Sequence, residues 1–245
     1  MHTTRFSGSR SIAVLGAASF LVLLGLGVWC DTSKYTAPNI PVEQQVEAGL
    51  DAALSTTVVP VYTFMRTISV LLTAPLKIGG VAALTCPDTS NWCGTGTATC
   101  SPGSDGISYD FNFAQCQVVA GSDPLMLSGN VNAIPGLPIL LTLTNLSING
   151  SPAMSGTGTI DIAACNYNIN VTTSDAHVTG TVTQCDTDPY PTGNQLFISF
   201  SDFVITIVLD GSNVASATAT QGGTPVSYCT ISLDTDPLSS SCYAP

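Results

Sequence analysis

Along residues 42–73, apolar side chains recur at helical spacing: Val46, Leu50, Leu54, Val58, Val61, Phe64 or Met65, Ile68, and Leu71 or Leu72. Positions i, i+3, i+4 and i+7 share one face, so the stripe predicts an amphipathic helix about 48 Å long. The opposite face carries Gln45, Ser55, Tyr62, Arg66, Ser69 and Thr73. Pro60 lacks a backbone donor and should kink or split the helix, and the β-branched run TTVVPV weakens it locally. A membrane span would place Arg66 at mid-bilayer, so the stripe reads as a helix packed on a sheet.

After Lys77 the period changes from 3.6 to 2. Ten stretches alternate apolar and polar residues, from GTGTATC at 94–100 to VSYCTISL at 226–233, with QLFISFSDFVITIVL at 195–209 the longest. Turn signals separate them, notably PGSDG at 102–106, Asn149-Gly150, Asp210-Gly211 and Gly222-Gly223. Strands joined by such turns form hairpins, so the sheet is expected to be antiparallel. A faint repeat relates 128–160 to 178–220: a Gly-x-Val strand, a long apolar strand, an Asn-Gly or Asp-Gly turn, then a strand of small residues.

The chain has nine cysteines and no Cys-x-x-Cys pair, and only His177 lies beyond the N-terminal region. Zinc and iron–sulfur spacings are absent, which leaves structural disulfides in an oxidising compartment. Hairpin symmetry suggests partners. Cys229 and Cys242 are centred on Thr235-Asp236, and Cys165 and Cys185 on Asp175. Pairing Val171 with Val178 and Tyr167 with Val182 sets Cys165 opposite Gln184, a mismatch that one bulge residue would absorb. Cys93 and Cys116 flank the 102–106 turn, leaving Cys86 for Cys100. Eight cysteines are thereby paired and Cys30 is the odd one.

Cys30 ends an uncharged run, Ser11 to Trp29, preceded by MHTTRFSGSR with its two arginines. A basic start followed by an apolar run reads as an export signal or a membrane anchor at 1–30. Cys30 is a candidate lipid anchor, since Gly27 and Val28 suit cleavage before a lipidated cysteine. Trp29 does not, and favours an uncleaved anchor with tryptophan at the interface. An ordinary cleaved signal is the third alternative. Each places the rest of the chain outside the cytoplasm. Residues 31–41 read as a tether and 42–245 as a single β-rich domain with the helix leading it.

Charge narrows the partners. The formal net charge is −11, and beyond Lys77 there are twelve aspartates and no Lys, Arg or Glu. Nucleic acid is excluded as a partner because neutralising phosphates requires cations, and anionic headgroups are excluded on the same ground. The expected contact with membrane is through the N-terminus. The stretch GTGTATC…YDFNFAQC…LMLSGNVNA (94–133) resembles a loose group of exported bacterial envelope proteins and lipoproteins of unknown function. The resemblance implies an envelope protein and carries over no functional residue.

Little in the sequence points to catalysis. There is no Gly-x-Ser-x-Gly elbow to accompany Ser174, Asp175 and His177, and no phosphate loop or dinucleotide fingerprint, so no cofactor is implied. Asp-Thr-Asp-Pro occurs at 186–189 and 234–237. Alternating aspartates offer hard oxygen ligands for calcium, but Asp-Pro is also ordinary turn chemistry. The fold expected is mainly β: a curved antiparallel sheet, open-barrel or sandwich-like, stapled by disulfides and carrying one amphipathic helix. The function expected is non-enzymatic, that of a membrane-tethered structural or binding protein of the bacterial envelope. In its specific form an apolar ligand sits between helix and sheet; an envelope protein is the other expected partner. The rival readings are an aspartate-dependent hydrolase and a cell-surface adhesion or assembly protein.

Overall fold

The computed structural model describes residues 40–73, 86–118, 124–185, 188–193, 195–235 and 237–245. Cys30, the tether up to residue 39, and residues 186, 187 and 236 of the Asp-Thr-Asp-Pro loops lie outside the described residues. Residues 40–245 fall within one compact unit.

The helical stripe folds as α1 (Val42–Ala53), a π-helical turn (Leu54–Val58) and α2 (Val59–Thr73). Val46, Leu50, Leu54, Val58, Val61, Phe64, Met65, Ile68 and Leu72 are all buried. By length and composition this helix is long and apolar enough to cross a membrane. Its apolar face is instead spent on the sheet: α1 packs on the last strands of the chain and α2 on its middle strands. Ser69, assigned by the period to the polar face, is buried, with its hydroxyl donating to the Arg66 carbonyl at 2.6 Å.

Twelve antiparallel strands follow, their order in the sheet identical to their order in the chain. They are β1 (Thr97–Pro102), β2 (Tyr109–Val118), β3 (Leu125–Ile134), β4 (Ile139–Ile148), β5 (Met154–Asp161), β6 (Asn166–Thr172), β7 (His177–Thr183), β8 (Leu196–Phe200), β9 (Phe203–Val208), β10 (Val214–Gln221), β11 (Thr224–Ser232) and β12 (Ser239–Tyr243). Alternation sends one face inward. β2 and β4 share the same sequence of buried and exposed positions.

Two strands more than the pattern predicted come from two places. The run QLFISFSDFVITIVL is a hairpin, β8 and β9, turning at Ser201-Asp202. Ser201 takes a left-handed backbone, φ 50°, at a position without the glycine or asparagine that usually signals such a turn. The chain end adds β12. The split also dissolves the expected repeat, because 128–160 holds three strands and 178–220 holds four.

A different repeat is present in the geometry. In β2 the register slips between Phe113 and Cys116, and in β4 between Leu143 and Leu146. Each slip places a residue at positive φ, Gln115 or Asn145. The freed amide donates to a serine on the next strand, Ser128 at 3.2 Å or Ser155 at 3.0 Å. A glycine follows each serine. At Gly156, φ is 151° and a Cβ would strike the Asn170 carbonyl of β6; Gly180, φ 145°, meets the Gln195 carbonyl in the same way. Bulges and glycines at these close approaches bend the sheet around the helix.

Four disulfides join Cys86 to Cys100, Cys93 to Cys116, Cys165 to Cys185 and Cys229 to Cys242. Cys229 and Cys242 face each other across β11 and β12. Val171 pairs with Val178 and Tyr167 with Val182. The offset at Cys165 is absorbed by a left-handed backbone, φ 53°, while Gln184 N–H donates to the Cys165 carbonyl at 3.1 Å.

Candidate functional site

The π turn of the helix sits over a wholly apolar recess. Its cause is local. Ser55 Oγ donates to the Asp51 carbonyl at 2.8 Å and Thr56 Oγ1 to the Ala52 carbonyl at 2.7 Å. These hydroxyls compete with the backbone donors for the carbonyls ahead of Pro60. Val59 N–H reaches back five residues to the Leu54 carbonyl. The widened turn lets Pro60 enter as the second residue of α2, where its missing N–H leaves no interior bond broken. The irregularity therefore falls ahead of the proline and the helix runs on through it.

Beneath Leu54, Val58, Val59 and Tyr62 is a half-open notch of about 80 Å³. Its floor comes from Val182, Leu196, Ile207, Ala215 and Ile231, one residue from each of β7 to β11, and its wall is entirely apolar. At its rim, Tyr62 Oη donates to Gln184 Oε1 at 2.6 Å, and the Tyr62 ring meets Tyr167 edge-on at 5.3 Å. Gln184 precedes Cys185, so the 165–185 disulfide and the tyrosine pair hold this side of the notch in place.

On the same helix two carboxylates hold the edge of the sheet. Glu47 Oε2 accepts the backbone N–H of Cys242 at 2.9 Å, and Asp51 Oδ1 accepts that of Ser240 at 2.9 Å. Positions 47 and 51 are neighbours on a helix face, and 240 and 242 point the same way from a strand. The two spacings match, so α1 covers the exposed donors of β12.

The remaining aspartates are spread out. Asp88, Asp105, Asp175, Asp202 and Asp234 lie in turns and connections. The backbone N–H of Ile107 and the Ser108 side chain hold the Asp105 carboxyl below its ordinary value of 3.8. Asp234 accepts from Tyr190 and from Asn213, which lowers its pKa and raises that of Tyr190. Among the described residues no three His, Cys, Asp or Glu side chains gather as metal ligands. His177 is the first residue of β7, with Nε2 2.9 Å from Asn170 Oδ1; Ser174 and Asp175 lie in the bend before it.

The expected constellation was an apolar space between helix and sheet. The notch occupies that place, at a smaller volume than a lipid requires. The π turn, the Glu47–Asp51 clasp and the contributions of Ala215 and Pro191 are additions to the sequence reading. The sequence signal for the turn was LSTTVVP, a hydroxyl and β-branched run leading into proline. No family model, curated protein sequence or solved structure matches the chain.

Proposed function

We propose that the chain is a membrane-tethered, extracytoplasmic binding protein of the bacterial envelope, with the notch as the seat for the end of an apolar chain. The observation that carries the proposal is an all-apolar recess at the single π turn of the helix. Irregular helical turns of this kind occur often at functional sites. The four disulfides are those of a protein in an oxidising, extracytoplasmic compartment.

Volume limits the occupant. A cavity of about 150 Å³ holds a benzene ring, so the notch takes about three carbons and the rest of the ligand leaves through its open side. At about 0.8 kcal/mol per buried methylene, this supplies only about 2–3 kcal/mol. The site is a specificity notch for one end of a longer molecule, unlike the enclosed cavities of about 300–1,000 Å³ that swallow a ligand whole.

Methyl NMR of the full chain in nanodiscs, titrated with 1-hexanol, tests this. The methyl signals of Val182, Ile207 and Ile231 should shift together and saturate, and Ala215→Leu should abolish the shifts by filling the notch. Shifts scattered over the surface, or shifts that survive Ala215→Leu, would refute the proposal. An adhesion reading has an observation of its own, the exposed Phe197, Val204, Val208, Tyr228 and Tyr243 on the outer face of β8–β12. It predicts self-association that Tyr228→Ser and Tyr243→Ser remove, measured by sedimentation.

A further inference from the structure

The outer face of the sheet, opposite the helix, carries a second constellation. A row of directly facing residues runs unbroken from Ser101 on β1 to Tyr243 on β12, one residue from each strand. Seven in succession are Ser, Asp, Asn, Thr, Thr, Asn and Thr, and the row ends on Tyr228 and Tyr243. With strands about 4.8 Å apart, the row is about 50 Å long.

Two clefts lie on it. One, of about 320 Å³, is walled by Asp110, Asn112, Asn130 and Asn132 with threonines from β1 and β4. The other, of about 270 Å³, is walled by Thr157, Thr159, Asn168, Asn170, Thr179 and Thr181. Their centres are between three and four strands apart, or about 17 Å. In both, amides are fixed by neighbours. Asn112 Nδ2 donates to Asn130 Oδ1 at 2.6 Å, and Asn132 Nδ2 spends both hydrogens within the protein, on Asp110 Oδ1 at 2.7 Å and Ser108 Oγ at 2.9 Å. Asn168 Nδ2 donates to Thr159 Oγ1 at 2.7 Å, while Thr181 Oγ1 donates to Asn168 Oδ1. Each amide has two donor hydrogens and an oxygen with two lone pairs. These bonds orient the amides and leave one Nδ2 hydrogen each on Asn112 and Asn168, and both on Asn130, for a ligand.

From this geometry we infer that the outer face binds an uncharged polysaccharide laid across the strands, one stretch in each cleft. The same donor–acceptor chemistry is offered twice along one line, which suits a polymer of repeating polar units. Charge selects its class. Asp110 is the only charged side chain in either cleft, and the chain beyond Lys77 has twelve aspartates and no cation. Acidic glycans and nucleic acids are repelled. Peptides favour apolar anchor pockets or a free strand edge, whereas both clefts are walled mainly by polar side chains on the face of the sheet. The exposed Tyr228–Tyr243 pair, with ring centroids 6.1 Å apart, closes one end of the row with flat apolar faces.

This site is independent of the notch. The full chain, net −11, migrates in native gels, so affinity electrophoresis in a sugar-free detergent reads binding directly. The gels contain a panel of neutral α- and β-linked glucans, a mannan and a galactan, with polygalacturonate as the acidic comparator. At least one neutral polymer should retard the protein and polygalacturonate should not. Asn130→Ala combined with Asn168→Ala, both at exposed positions, should raise the half-retarding concentration about tenfold or more without moving the melting temperature. Ala215→Leu should leave retardation unchanged, so loss of the notch reading leaves this one standing. No retardation by any neutral polymer, equal retardation by polygalacturonate, or retardation unaltered in the double variant would overturn the inference.

Discussion

Removing the two helix carboxylates tests how the sheet edge is protected. A sheet edge presents unpaired donors that recruit foreign strands unless they are covered. Here α1 covers two of them: Glu47 holds the Cys242 amide and Asp51 the Ser240 amide, each at 2.9 Å. A hydrogen bond to a charged acceptor contributes about 1.5–3 kcal/mol when well buried. These side chains are half-buried, so about 1 kcal/mol each is a fairer figure. Glu47→Ala with Asp51→Ala should then cost about 2 kcal/mol, or about 4–8 °C in Tm for a domain of this size. The 229–242 disulfide keeps β12 from leaving, so the local readout matters more than Tm. Hydrogen exchange at Ser240 and Cys242 should accelerate while β5 and β6 stay protected, and sedimentation should show a new dimer. Exposed Gln44→Ala is the control. If exchange at 239–243 matches that of the control and Tm is unchanged, the carboxylates are not what holds the edge.

Asp88, Asp105, Asp210 and Asp234 are all held below their ordinary 3.8 by hydrogen bonds in the folded state. Their contribution is present above that value and is lost as pH falls through the lower folded-state values, so Tm should drop below about pH 4, and Asp105→Asn should flatten part of that drop. Tyr190 is raised above 10.0 by Asp234, so its contribution is complete below that pH and disappears above it, visible as an alkaline fall in Tm that Tyr190→Phe removes. Replacing Cys229 and Cys242 together by alanine opens a bridge of sequence separation 13 and should cost about 3 kcal/mol in denaturant unfolding. Gly156→Ala drives a Cβ onto the β6 backbone and should cost more than about 2 kcal/mol, against about 1 kcal/mol for Gly106→Ala, where nothing lies in the way.

Much of the frame was legible because the same periodicities that bury side chains also appear in the letters. Val46 to Leu72 fall every three or four residues because one helix face meets the sheet. The cysteine partners were legible because hairpins bring positions equidistant from a turn face to face, as at Cys229 and Cys242. The β8–β9 turn was not, because Ser201 adopts a backbone that serine seldom takes. Thr-Gly strands resemble one another and so suggest a false alignment of the repeat, whereas the repeated object is a bulge plus its answering Ser-Gly, at Gln115 with Ser128 and at Asn145 with Ser155. The notch was only half legible. A helix over a curved sheet implies a seam, but its volume depends on how Ala215 of β10 meets Pro191 and Leu238 from two separate connections, and no local pattern encodes that.

The claim that an apolar occupant seats at the π turn is tested most directly by pressurising crystals of the protein with xenon. One xenon atom is expected among Val58, Leu196, Ile207 and Ile231, and none in Ala215→Leu. A notch without xenon in the parent, its walls closed on one another, would contradict it.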